Sequence, residues 1–295
     1  MQEDFLYQMV SRERHRQVAE VLAEVKVPYA LIKGEVLSCH AYGKFGKRRS
    51  SDVDILVSRK NRDVIRDAFL RHGFSMKGKT RAEIVQANLY THQMIPLTKP
   101  SKYEEMAVDV NFDIFWGEYQ GVRTDIDRFL EHTVPMKIYG YEFQVLPHEK
   151  AMVQLILHHY KEMNSIFHLM THDSFNVKML DDVYYYVKSW KNVFTPEAIW
   201  RVMQVYGIAK YAYYVFYYVA KVHPDGEILK IRDALYSEEA EKLLNRYGLE
   251  EEEYGEWEVG FEERLKSEDL SQFLKHKLSK KSMEKLNQNV AIFLS

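Results

Sequence analysis

The sequence predicts an α/β (α+β) domain built on a mixed sheet, followed by an all-α domain. Three observations predict it. Short apolar runs with strand character recur between Pro28 and Leu146 and are separated by turn residues. Residues 107–115 alternate strictly between apolar and polar. From Pro147 onward the apolar spacing becomes helical and stays so. The expected domains are 1–147, a catalytic unit with an N-terminal helix, and 148–295, a helical unit closing the other wall of a cleft.

Taken in order, Phe5, Met9, Val18 and Leu22 repeat at helical spacing over 3–25, and Val27-Pro28 ends that helix. Pro28–Ile32 reads as a first strand, closed by Lys33-Gly34, and 35–42 can start a helix. Residues 52–58 read as a second strand. Asn61 is the expected N-cap of a helix that carries Val64, Ile65, Ala68 and Phe69 and stops at Gly73. Residues 84–97 are expected to be extended, with a turn at 99–105. The strand over 107–115 places Val108, Val110, Phe112 and Ile114 on one face and Asp109, Asn111, Asp113 and Phe115 on the other. A β segment at 139–146 completes the mixed part. Helices are expected at 149–163, 177–190, 196–222, 237–247 and 262–293.

The totals narrow the function classes. A composition of 46% hydrophobic and 28% charged residues is that of a globular protein, and a net charge of −2 gives no global attraction to nucleic acid. A basic patch, Lys44, Lys47, Arg48 and Arg49, is local. The single cysteine, Cys39, cannot form an intramolecular disulfide, which suits a reducing compartment. Residues 1–27 hold no apolar signal core, and the longest apolar run, 211–220, is too short to span a bilayer. The expectation is a cytoplasmic protein without a membrane partner.

Chemistry concentrates between Leu31 and Val57. On a strand, residues two apart project from the same face about 7 Å apart, so Asp52 and Asp54 point together while Val53, Ile55 and Val57 point into the sheet. Carboxylates held on a rigid strand suit a hard cation such as Mg²⁺ that also binds substrate phosphates. A third carboxylate, Asp109 or Asp113, lies on the later strand. The Gly34 turn opens a helix whose unpaired N–H groups favour phosphate, and Lys33 and Arg49 add positive charge.

These residues resemble a family. Leu31-x-Lys33-Gly34, then a basic residue shortly before Asp52-Val53-Asp54-Ile55-Leu56-Val57, is similar to the nucleotidyltransferase superfamily that includes polymerase β. More narrowly, it resembles the bacterial branch known as uncharacterised nucleotidyltransferases. Val108-Asp109-Val110-Asn111 resembles that branch's later acidic strand, and 155–161 and 179–187 resemble its helical stretches. Two positions depart from the pattern. Glu35 stands where classical members have a small hydroxyl residue, and Asn111 stands where the branch has His.

The resemblance covers 28–190 and implies a nucleotidyltransferase-type fold and a Mg²⁺-dependent (or Mn²⁺-dependent) transfer of NMP from an NTP. It implies Asp52, Asp54 and Asp109 as catalytic metal ligands; the residues themselves offer Lys33, Gly34, Arg49, Ser51 and Lys178 as nucleotide-binding candidates. The partners implied are an NTP and an acceptor, a small molecule or peptide in preference to tRNA. Two other readings stand beside it: a toxin-type nucleotidyltransferase acting on tRNA, and a non-catalytic nucleotide-binding module. His158, His159, His168 and His172 fit no standard zinc spacing and are read as surface or capping residues. The tyrosines at 184–186 and 211–218 are read as helix-packing core, and the acidic run 251–258 as a solvated turn.

Overall fold

The computed structural model describes residues 2–76, 80–82, 84, 91–115, 124–171, 176–249, 253–267, 269–274, 279–281, 283–284 and 286–287. Its contacts divide the chain into two units, Met1–Ala151 and Met152–Ser295.

The first unit is a six-stranded mixed sheet with helices. In chain order come α1 (Gln2–Glu24), β1 (Tyr29–Ile32), α2 (Gly34–Tyr42), β2 (Asp52–Val57), α3 (Arg62–Arg71), β3 (Leu97–Pro100) and β4 (Glu105–Asn111). A short α4 (Ile126–Phe129), β5 (Val134–Ile138) and β6 (Tyr141–Val145) follow. The strand order is β3-β4-β2-β1-β6-β5. β1 runs antiparallel to β2, and β2 runs parallel to β4 with Asp54 opposite Asp109.

Alternation decides which face is core. Val53, Ile55 and Val57 of β2 and Met106, Val108 and Val110 of β4 pack with Val18, Val21 and Leu22 of α1 and Ile65, Ala68 and Phe69 of α3. The opposite face therefore carries Asp52, Asp54, Ala107, Asp109 and Asn111. Each of the named apolar side chains is at most 3% exposed, so this one-sided burial fixes the register: a slip of one residue would put the aspartates in the core.

Several elements differ from expectation. On α1 the buried stripe is Val10, Arg14, Val18, Val21 and Leu22, while Phe5 and Met9 are exposed. Asn61 makes no cap bond with its side chain and ends a 3₁₀ turn, Arg59–Asn61. Extended structure begins at Leu97 and runs into the expected turn, with Pro100 paired to Glu105; residues 85–90 lie outside the described residues. β4 stops at Asn111, so Phe112 to Phe115 do not continue its alternation. The hairpin β5–β6 turns on Tyr139 and Gly140, both at positive φ (52° and 93°), the conformation a two-residue hairpin turn needs.

The second unit is helical: α5 (His148–Asn164, starting just before the division), α6 (Ile166–Met170), α7 (Val177–Ser189), α8 (Pro196–Val205), α9 (Ala209–Val222), α10 (Gly226–Ala234) and α11 (Glu238–Glu241). The stretch 196–222 is two helices, not one, with a turn at 206–208. The stretch 237–247 is one helical turn followed by β7 (Arg246–Tyr247), which pairs with β8 (Gly255–Glu256). Within 262–293 the helix α12 (Phe261–Leu265) ends early, a 3₁₀ turn follows at Ser271–Phe273, and the described residues 280–281, 283–284 and 286–287 are helical again. Tyr186, Tyr213, Tyr214 and Tyr218 are buried, as packing residues are, whereas Tyr184, Tyr211 and Tyr217 are half-buried and Tyr185 is exposed. No described helix is long and apolar enough to cross a membrane.

Candidate active site

The acidic face is assembled by strand pairing. Neighbouring strands lie about 4.8 Å apart, and the parallel register sets Asp54 beside Asp109 with Asp52 two residues away on the same face. Asp54 is 5% exposed; Asp52 and Asp109 are half-buried. Burial pushes the Asp54 carboxyl above the usual carboxylate range; the Lys33 ammonium pulls it back and the Asp52 charge raises it further.

Asp54 and Asp52 are each held by neighbouring side chains. Lys33 Nζ donates to Asp54 Oδ1 at 2.8 Å, and Asn111 Nδ2 donates to the same oxygen at 3.1 Å. Ser50 Oγ donates to Asp52 Oδ1 at 2.5 Å. Asn111 thus sits on the acidic face and orients Asp54. Asp113 lies beyond the end of β4. Its Oδ1 accepts the backbone N–H groups of Ile114 (2.7 Å) and Phe115 (3.2 Å), closing the turn after β4.

The phosphate-side residues follow from the β1–α2 junction. Lys33 has φ 55° and ψ −143°, a conformation costly for a side-chain-bearing residue by about 1–3 kcal/mol. Gly34 follows at φ 38°, where a Cβ would lie 3.8 Å from Ser50 Cβ. The strained turn aims Lys33 at the acidic face and starts α2 directly behind it.

α1 holds the loop that leads into β2. Tyr7 Oη accepts Ser50 N–H (2.9 Å), and Arg14 Nη1 donates to Ser50 O (3.0 Å). Glu35 is 3% exposed and accepts from Ser11 Oγ (2.9 Å), Tyr139 Oη (2.9 Å), Tyr7 Oη (3.2 Å) and Gly46 N–H (2.8 Å). It ties α1, the loop and the β5–β6 turn together.

The remaining candidates have their own surroundings. Arg49 pairs with Asp4 at 2.8 Å and stacks over Tyr7. Ser51 is exposed; the serine that bonds Asp52 is Ser50, which shares the side of Asp52 by strand parity. Lys178 is exposed in the first turn of α7, in the second unit. His158 and His159 are buried, not surface residues, and with Glu162 their ligand atoms lie within 4.8 Å of one another. His158 already pairs with Glu162 at 3.0 Å. His172 lies outside the described residues.

Residues 6–224 match the family of uncharacterised nucleotidyltransferases. No curated protein matches the chain. Among solved structures, the chain is similar to the solution structure of the antibiotic-resistance factor ANT(2'')-Ia, at 10% identity and a TM-score of 0.40, covering 70% of this chain and 95% of that one.

Proposed function

The chain belongs to the uncharacterised nucleotidyltransferase family and is a transferase of nucleotidyl groups, and we propose that it moves NMP from an NTP to an acceptor hydroxyl, amine or phosphate. In that reaction an acceptor atom bonds to the α-phosphorus, the bond to the bridging oxygen breaks, and pyrophosphate leaves with its electron pair.

The observation that carries this reading is the β2–β4 register, which groups Asp52, Asp54 and Asp109 on one face. The donor type suits a hard divalent cation, being all oxygen and anionic, and the Lys33 ammonium already answers Asp54; the described side chains whose ligand atoms lie within 4.8 Å of one another are His158, His159 and Glu162, so the three carboxylates would have to close on the ion as it binds. Asp52, Asp54 and Asp109 would hold Mg²⁺, or Mn²⁺ in its stead. Such an ion stabilises charge on the phosphoryl oxygens and acidifies the acceptor.

The chain's own residues divide the remaining work. Lys33 and the first-turn amides of α2, opened by Gly34, bind the triphosphate. Ser50 and Asn111 fix the rotamers of Asp52 and Asp54. Asp109, the more open partner of Asp54, takes the acceptor's proton.

Calorimetric titration of ATP, CTP, GTP and UTP, with and without Mg²⁺, tests this reading in wild type and in the Asp52→Asn/Asp54→Asn double variant. The expected result is metal-dependent binding of a nucleotide, lost in the double variant. Undiminished binding and turnover in that variant would sink it.

A further inference from the structure

Three carboxylates share one sheet face, and the chain places one of its own cations among them. Lys33 Nζ lies 2.8 Å from Asp54 Oδ1, with the lysine side chain 15% and the aspartate 5% exposed. The pair is largely out of water, where charge interactions are strong. The same oxygen also accepts Asn111 Nδ2 at 3.1 Å, so two N–H groups engage it from the protein side.

A small divalent ion needs the lone pairs of its carboxylate oxygens at about 2.0–2.1 Å in strict geometry. An ammonium held at hydrogen-bond distance from one of those oxygens competes for them and repels the incoming charge. Lys33 is also not carried on a floppy loop. It sits in a strained junction (φ 55°) with Gly34 next, so the same residue stands between the acidic face and the start of α2.

We propose that Lys33 is a tethered cation that occupies the seat of the divalent ion until a triphosphate draws it away. The ligand class admitted is therefore a metal–polyphosphate chelate, and the bare ion is disfavoured. This rests on the nucleotidyl-transfer reading and adds to it a coupling: polyphosphate tightens the metal by the factor by which the metal tightens polyphosphate. With Lys33 on Asp54, a lone dication meets an ammonium. With a chelate, the phosphates give that ammonium another partner.

The test is Mn²⁺ binding without nucleotide, followed by the loss of the free-ion electron paramagnetic resonance signal. It uses the full chain as wild type, Lys33→Met and Lys33→Gly. Lys33→Gly removes the ammonium and suits the positive φ, so folding is protected in at least one variant; circular dichroism confirms it. Both variants are expected to bind Mn²⁺ at least tenfold more tightly than wild type. Adding Asp54→Asn to either is expected to abolish the gain.

Unchanged, weaker or undetectable Mn²⁺ binding in the folded Lys33 variants overturns the proposal. If binding is then still lost on Asp54→Asn in the wild-type background, the metal face stands and only the role of Lys33 falls. If Mn²⁺ binding persists undiminished in Asp52→Asn/Asp54→Asn, the metal face itself is wrong.

Discussion

Glu35 and Asp54 are both buried carboxylates of the first unit, 3% and 5% exposed, yet their surroundings are opposite. Glu35 is encircled by neutral donors: three hydroxyls, from Tyr7, Ser11 and Tyr139, and the Gly46 amide. Asp54 accepts from Lys33 and Asn111 and shares its face with two more carboxylates. Burial alone therefore does not mark chemistry. A carboxylate satisfied by neutral donors from several segments is a fastener, whereas one crowded by like charge keeps an electrostatic deficit that a cation relieves.

The largest expected effect breaks the comparison on the Asp54 side. Asp54→Asn should lower nucleotidyl transfer by roughly 10³-fold or more, since several kcal/mol of transition-state stabilisation are lost. Its unfolding free energy should change by less than about 1 kcal/mol, because the substitution also removes repulsion. Pyrophosphate release and urea unfolding on one preparation check both halves.

Glu35→Ala should do the reverse. Stranding its buried donors should cost about 3 kcal/mol in urea unfolding, and Glu35→Gln, which keeps an acceptor, about half as much. A smaller effect should come from Asn111→Ala, which leaves the carboxylate in place and loosens it. Metal affinity should fall about tenfold with little change in stability, as it does when a group that orients a metal ligand is lost.

A third contact, half-buried, calibrates the other two, because it involves no carboxylate. His40 and His148 lie with ring centroids 4.6 Å apart. Burial, and secondarily the charge of His148, lowers His40 to about 4, against about 6.5 for an unfolded histidine. The unfolded chain takes up the proton first, so this contribution to stability is complete above about pH 6.5 and drains away as pH falls towards 4. His40→Gln should flatten that stretch of the curve of melting temperature against pH. The smallest effect, under about 0.5 kcal/mol, is expected for Asn61→Ala, whose side chain makes no cap bond.

What the sequence made legible is what local periodicity records. Strands β1, β2 and β4, the turn at Lys33-Gly34, and the common face of Asp52 and Asp54 all follow from parity. The end of β4 does not, because apolar–polar alternation continues through Phe112 and Asp113 after the backbone has turned. β5 leaves no such mark, since Val134 and Pro135 are exposed at the sheet edge and no buried face imprints a pattern on them. Glu35 could be seen as a departure from a family pattern, but its role rests on Tyr7, Ser11 and Tyr139, which are remote in sequence. Ser50 was within reach: the parity that pairs Asp52 with Asp54 also puts Ser50, not Ser51, beside Asp52.

The parallel pairing of β2 with β4 joins Asp54 to Asp109 across a long stretch of chain that includes α3 and β3. Closing so long a loop is entropically slow, and such pairings tend to consolidate after local helices and hairpins have formed. The acidic face would then be absent from most of the folding transition state. A divalent ion bound there would leave the refolding rate nearly untouched and would stabilise the protein by slowing its escape from the native state.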